Sequence, residues 1–144
     1  MCREYLPIGV RRTQKERNRK LHTQMTTEEK VYLTNKVNKV NRLVPTRHSQ
    51  EKMDMLDISL DYISEILHTI KPNQIVEYNT GRGNESRVLV KDNRIMTTDT
   101  GKKVNGKYVI DVNTGRLVTV YINKVGDTHK TIDMSLYNKD LKII

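Results

Sequence analysis

The feature that most constrains this chain is a narrow apolar stripe, Leu33, Val37, Val40 and Val44, spaced four, three and four residues apart and closed by Pro45. Such spacing places the four side chains on one face of a helix. Ahead of it stands Thr26-Thr27-Glu28-Glu29, where a Thr followed three residues later by Glu reads as a capping box. Pro45 disfavours helix in the residue before it, so the helix is expected to stop there. After Thr46-Arg47-His48, Ser49 is a candidate cap for a second helix with Leu56, Ser59, Ile63, Ile66, Leu67 and Ile70 towards one side, closed by Lys71-Pro72-Asn73. A two-helix hairpin of this size cannot bury enough apolar surface to fold alone. Its stripe must be covered by a second hairpin or by the chain's own remaining residues.

Beyond Pro72 the texture changes to β-branched runs separated by turn residues. Arg87 to Val90, Arg94 to Met96, Lys107 to Val112, Arg116 to Ile122 and Thr131 to Leu136 read as strands of a meander. Asn105-Gly106 and Asn113-Thr114-Gly115 are candidate hairpin connections. The organisation expected is a basic segment over 1–25, a helical hairpin over 26–71, a linker over 72–86 and a β-rich extension over 87–144.

Charge narrows the partner. The net charge is +9 over 144 residues, a standing attraction for polyanions. Residues 1 to 24 hold seven Lys/Arg against two acids, while the helical region is nearly neutral. With 35% apolar residues and no Ala, Phe or Trp, core-forming side chains are scarce. No stretch reaches the length of a membrane helix, so no membrane partner is expected. The lone Cys2 and the lack of an apolar leader point to a reducing compartment.

Leu33, Val37, Val40 and the Leu-Val-Pro ending at Pro45 resemble the first helix of basic helix-loop-helix transcription factors. Lys52, Leu56, Ser59, the Tyr62-Ile63 pair and Ile66 are similar to the second helix of that family. The resemblance implies a mainly α helix-loop-helix, assembled as a parallel four-helix bundle by two chains and followed by the β-rich segment, α+β overall. It implies a homodimer or a heterodimer with another helix-loop-helix protein. The interface would hold Leu33, Val37, Val40, Val44, Leu56, Ser59, Ile63, Ile66 and Ile70, with Lys52 touching a phosphate. Nuclear location follows from the same resemblance.

In that family a glutamate seven residues before the first leucine reads base edges; here that position is Thr26. The family's basic motif is instead similar to Lys15-Glu16-Arg17-Asn18-Arg19-Lys20, and the DNA-binding residues expected are Arg11, Arg12, Lys15, Glu16, Arg17, Arg19 and Lys20. Glu16 lies seventeen residues before Leu33, ten more than the family's spacing, which is about 15 Å of extra rise along a continuous helix and about 80° of rotation around it. Three outcomes follow: an intervening loop restores the register, the basic run binds DNA without sequence specificity, or it does not bind DNA specifically. The leading expectation is a transcription regulator binding an E-box-like site through this segment. The alternative is an antagonist that captures helix-loop-helix partners without specific DNA binding.

No catalytic constellation is legible, so neither enzyme activity, small-molecule substrate, cofactor nor metal is expected. His22, His48, His68 and His129 lack metal-ligand spacing, and Gly81-Arg82-Gly83 lacks the pattern of a phosphate-cradling loop. Tyr108 and Tyr121, on predicted strands, are able to stack on bases, although core packing is the commoner use. A nucleic-acid-binding β module with a helical appendage is therefore a third reading.

Overall fold

The capping box at Thr26 forms as its sequence implies. In the computed structural model, which describes residues 18–81, 85–126 and 133–144, Thr26 Oγ1 accepts from Glu29 N at 3.1 Å and Glu29 Oε1 accepts from Thr26 N at 2.9 Å. Helix α1 (Thr27–Asn38) starts there. Glu29 also receives Lys20 Nζ at 2.8 Å, tying the helix start to strand β1 (Arg19–Leu21). Burial works against this carboxylate's charge, but the Lys20 bond and the Thr26 cap outweigh it and hold its pKa below the usual range.

From this point the chain departs from a helix-loop-helix. Helix α1 ends at Asn38, six residues before Val44, so only Leu33 and Val37 of the stripe lie on it and both are buried. Val44 and Pro45 form a short edge strand, β2, parallel to β6 (Arg116–Lys124). Val44 N donates to Gly115 O and Thr46 N to Leu117 O. The missing N–H of Pro45 falls between these two donors, which is why proline is tolerated at a sheet edge. The expected second helix is two helices, α2 (Arg47–Leu56) and α3 (Leu60–Thr69), broken at Asp57, whose φ is 55°. Thr46 rather than Ser49 caps α2, accepting from Ser49 N at 3.1 Å. Ser59, expected at a dimer interface, caps α3 by accepting from Tyr62 N.

The remaining strands are β3 (Ile75–Asn79), β4 (Arg87–Thr97) and β5 (Lys103–Asp111). The six-stranded mixed sheet has the order β1-β3-β4-β5-β6-β2, with antiparallel pairing everywhere except β2 with β6. The chain thus leaves one edge at β1 and reaches the other at β2. That crossing spans five strand spacings, about 24 Å; α1, about 18 Å long, and the residues after it cover the distance.

The architecture is a β-rich α+β fold, which corrects the mainly helical, two-chain bundle expected from the sequence. Leu33 and Val37 from α1, Met53 from α2 and Ile63, Ile66 and Leu67 from α3 share one core with Ile75, Tyr78, Val88, Val90, Tyr108, Ile110, Leu117 and Val120 of the sheet. Ile70 belongs to this core too, and Val40 and Leu56 pack against it half-buried. Apart from Val44, the apolar residues assigned to a partner chain are thus packed within this one.

Two predicted strands, Arg87–Val90 and Arg94–Met96, are halves of the single strand β4, whose pairing with β5 is irregular between Lys91 and Ile95. The irregularity sits at Asp92, 1% exposed. Its carboxylate accepts from Tyr62 of α3 at 2.6 Å, from Tyr108 of β5 at 2.9 Å and from Arg94 N at 2.9 Å. Asn105-Gly106, expected as a turn, lies inside β5; the β4–β5 hairpin instead turns at Thr98–Lys102, where Thr98 N donates to Lys102 O. A Cβ on Gly106 would meet the Tyr108 hydroxyl, so the glycine clears the path of that side chain to Asp92. Met134–Leu136, expected in a strand, form a 3-10 turn.

Two outcomes test this construction. At Gly115, φ is +80° and a Cβ would collide with Arg42 O, so Gly115→Ala lowers stability by more than about 1 kcal/mol in urea unfolding. Asp92→Ala strands the buried Tyr108 hydroxyl at a cost of about 1–3 kcal/mol, part of which returns when Tyr108→Phe is added.

Candidate functional site

Side chains alternate between the faces of a strand, so the residues between core positions of β3 to β6 fall on the face away from the helices. The strand registers arrange them in rows. Leu21, Glu77, Leu89, Val109 and Thr119 run across the sheet. On one side lies the row Arg19, Asn79 and Arg87, and on the other Lys91, Lys107 and Tyr121. The outcome is an apolar centre with cations on both sides.

A cavity of about 380 Å³ opens on this face, lined by Leu21, Val76, Leu89 and Val109 beneath and by Arg19, Glu77, Arg87, Thr119, Tyr121 and Tyr137 around. A smaller one of about 160 Å³ shares Val76 with it and is bordered by Lys91, Lys107, Lys124 and Asn123. Together they form a groove across the strands.

Glu77 is the one carboxylate lining this groove among the described residues. Its side chain is only 13% exposed, and its Oε2 lies 3.7 Å from the Arg19 guanidinium. Its Oε1 accepts a hydrogen bond from the Tyr137 hydroxyl. Tyr137 arrives from the carboxy-terminal segment, which lies along the outer side of β1: Asn138 N donates to Arg19 O at 2.8 Å. Burial, together with the bond to Glu77 and that group's negative charge, pushes the Tyr137 phenol up to about 12. Arg87 donates to both Glu85 oxygens through Nη2, at 3.0 and 3.1 Å. Its buried Nε has no hydrogen-bond partner among the described residues, leaving a donor unused.

Of the residues singled out from sequence, Arg11, Arg12, Lys15, Glu16 and Arg17 lie outside the described residues. Arg19 is in the groove. Lys20 faces the other way, 5% exposed, held by Glu29 and by Leu141 O at 3.1 Å, so it is a structural cation. Lys52 is half-buried on α2, in the helical layer across the sheet from Arg19. Tyr108 is fully buried in the core, whereas Tyr121 lies on the grooved face. Glu77, Arg87, Thr119 and Tyr137 were not anticipated. The alternation Arg87-x-Leu89-x-Lys91 and Thr119-x-Tyr121-x-Asn123 was the available signal for a polar face, but nothing local joins Tyr137 to Glu77.

Among the described residues no group of three or more His, Cys, Asp or Glu is placed to hold a metal ion, and no helix is long and apolar enough to cross a membrane. Comparison with protein-family models, with curated proteins and with solved structures returns no match.

The raised Tyr137 pKa carries a stability consequence. The neutral phenol is favoured in the fold, so its contribution is complete below about pH 10, the value for a free tyrosine, and is lost as pH rises towards 12. The urea midpoint is expected to fall across that window, and Tyr137→Phe to fall less steeply there.

Proposed function

We propose that this chain binds single-stranded nucleic acid, RNA in preference to DNA, along the groove on the helix-free face of its sheet. The observation that carries the reading is the arrangement of charge and apolar surface there. Arg19, Arg87 and Lys91 lie on either side of a floor built from Leu21, Val76, Leu89 and Val109, while Lys107 beside Lys91 is buried. Cations spaced along a groove track phosphates, and an apolar or aromatic floor accepts unstacked bases, which a duplex does not present. Tyr121 supplies an aromatic ring beside that floor. Glu77 supports the preference for RNA. A carboxylate among phosphate-binding cations repels the backbone unless it accepts a hydrogen bond from the ligand, and the 2′-hydroxyl is a donor that RNA offers at each nucleotide.

E-box binding by a helix-loop-helix dimer required a bundle to aim a basic helix, and this fold spends those helices on its own sheet. The basic amino-terminal run keeps a role in the present reading. It precedes Arg19 directly in sequence, and Arg19 is already at the groove.

Fluorescence polarisation with labelled single-stranded RNA, single-stranded DNA and duplex of one sequence tests this across a salt series. Each neutralised phosphate of a single strand contributes about −0.7 to the slope of log K against log salt. The three accessible groove cations therefore predict a slope of about −2, and the Arg87→Ala/Lys91→Ala double variant loses about 1.4 of it. Equal binding of duplex and single strand, or a slope unchanged in the double variant, overturns the assignment.

A further inference from the structure

We infer that the large cavity reads a base and selects guanine, the Glu77 carboxylate accepting from its N1–H and 2-amino groups while Arg19 donates to its O6. The inference rests on the single-strand reading above and names the nucleotide that the cavity takes. A groove that only tracked phosphates would gain from a cation or an amide at position 77. It instead carries a carboxylate at the cavity wall. Oε1 accepts from Tyr137, and Oε2 faces Arg19 at 3.7 Å, longer than a direct hydrogen bond. A carboxylate accepts about four hydrogen bonds. Tyr137 uses one, which leaves room for a 2′-hydroxyl and for two donors of a base.

The strand registers decide which part of a nucleotide meets that carboxylate. Leu21, Glu77, Leu89 and Val109 are neighbours across β1, β3, β4 and β5, and Leu89 and Val109 are half-buried on the groove floor. A base lying flat on Leu89 and Val109, beside the Tyr121 ring, turns one edge towards Glu77. The cavity, about 380 Å³, is at the small end of ligand pockets, roughly 300–1,000 Å³, which suits a single base. Glu77 offers acceptors only. Among the four common bases guanine alone carries two adjacent donors on its Watson–Crick edge, N1–H and the 2-amino group, followed by the O6 acceptor. Adenine and cytosine present one donor beside an acceptor, and uracil one donor between two acceptors. The order along the cavity wall is Tyr137, Oε1, Oε2, Arg19, so the 2-amino group meets Oε1, N1–H meets Oε2 and O6 falls to Arg19. The Arg19 side chain is 40% exposed, and a guanidinium has five donors, so one serves O6 while the charge stays beside the backbone. An arginine side chain also offers adjacent donors. The wall already holds Arg19 and Arg87 against one carboxylate, however, so a further cation is repelled where a neutral base is not.

The test measures fluorescence polarisation with short labelled oligouridine RNAs that differ only at the central residue, which is guanosine, inosine, adenosine, cytidine or uridine. The guanosine strand is expected to bind roughly 5- to 150-fold more tightly than the adenosine, cytidine and uridine strands, the worth of one bidentate contact. Inosine, which lacks the 2-amino group, is expected to fall between. Glu77→Gln replaces one acceptor oxygen with a donor; it brings the guanosine strand down to the others while the all-uridine strand stays within about twofold of wild type. That retained binding also shows that the variant is folded. If the wild-type chain binds every strand equally, or prefers another base, guanine selection is overturned and single-strand binding stands. If it binds none of the strands, both readings fall. Inosine binding as tightly as guanosine, or a guanosine preference that survives Glu77→Gln, takes the reading away from this carboxylate.

Discussion

The fold depends on what happens to one carboxylate. Asp92 sits in the middle of β4, 1% exposed, in a position where an unsatisfied acid would be intolerable. It is satisfied by three donors from three places: the Tyr62 phenol on α3, the Tyr108 phenol on β5 and the backbone of Arg94. Both phenols are pushed to higher pKa, first by burial and then by Asp92 itself, Tyr62 to about 12, so they remain donors at any physiological pH. The Arg94 guanidinium lies 5.2 Å from the centre of the Tyr62 ring, adding a cation at the outer side of the cluster. Helix layer, central strand and neighbouring strand are thereby joined at one point. With its helical face fixed, the sheet presents its other face at a defined register.

That register is what makes the groove. Five strands place Arg19, Glu77, Arg87, Leu89, Val109 and Thr119 side by side although they span a hundred residues of sequence. The site also draws on the sheet edge. The carboxy-terminal segment along β1 brings Tyr137 to Glu77, and β1 itself is held in place by Lys20 on its other face, bonded to Glu29 of α1. Adjacent residues of one short strand thus serve the two sides of the sheet, Arg19 the groove and Lys20 the core side.

The resemblance to helix-loop-helix proteins shows how far a local pattern reaches. Leu33, Val37, Ile63 and Ile66 are buried on one side of their helices, as the stripe implied. The pattern contains no information about what covers that side. Val44 shows the limit most clearly: it continues the spacing, yet it belongs to an edge strand and is 42% exposed. Three backbone events absent from a periodicity plot decided the outcome: the end of α1 at Asn38, the pairing of Val44 with the Gly115 carbonyl and the left-handed Asp57.

What the sequence determined by itself was local and compositional. It specified the Thr26 cap, the apolar faces of the helices, most of β4, β5 and β6, the turn at Asn113-Thr114-Gly115, and a surplus of positive charge. These follow from contacts within a few residues or from counting, where near neighbours along the chain set the energy. The tertiary structure alone decided that the helices cover a sheet instead of a second chain. It also decided that β1 and β3 exist, that Lys20 is buried while Arg19 is not, and that Tyr137 meets Glu77 across sixty residues. Each of these turns on a long-range contact, whose free energy depends on which surfaces the folded chain brings together.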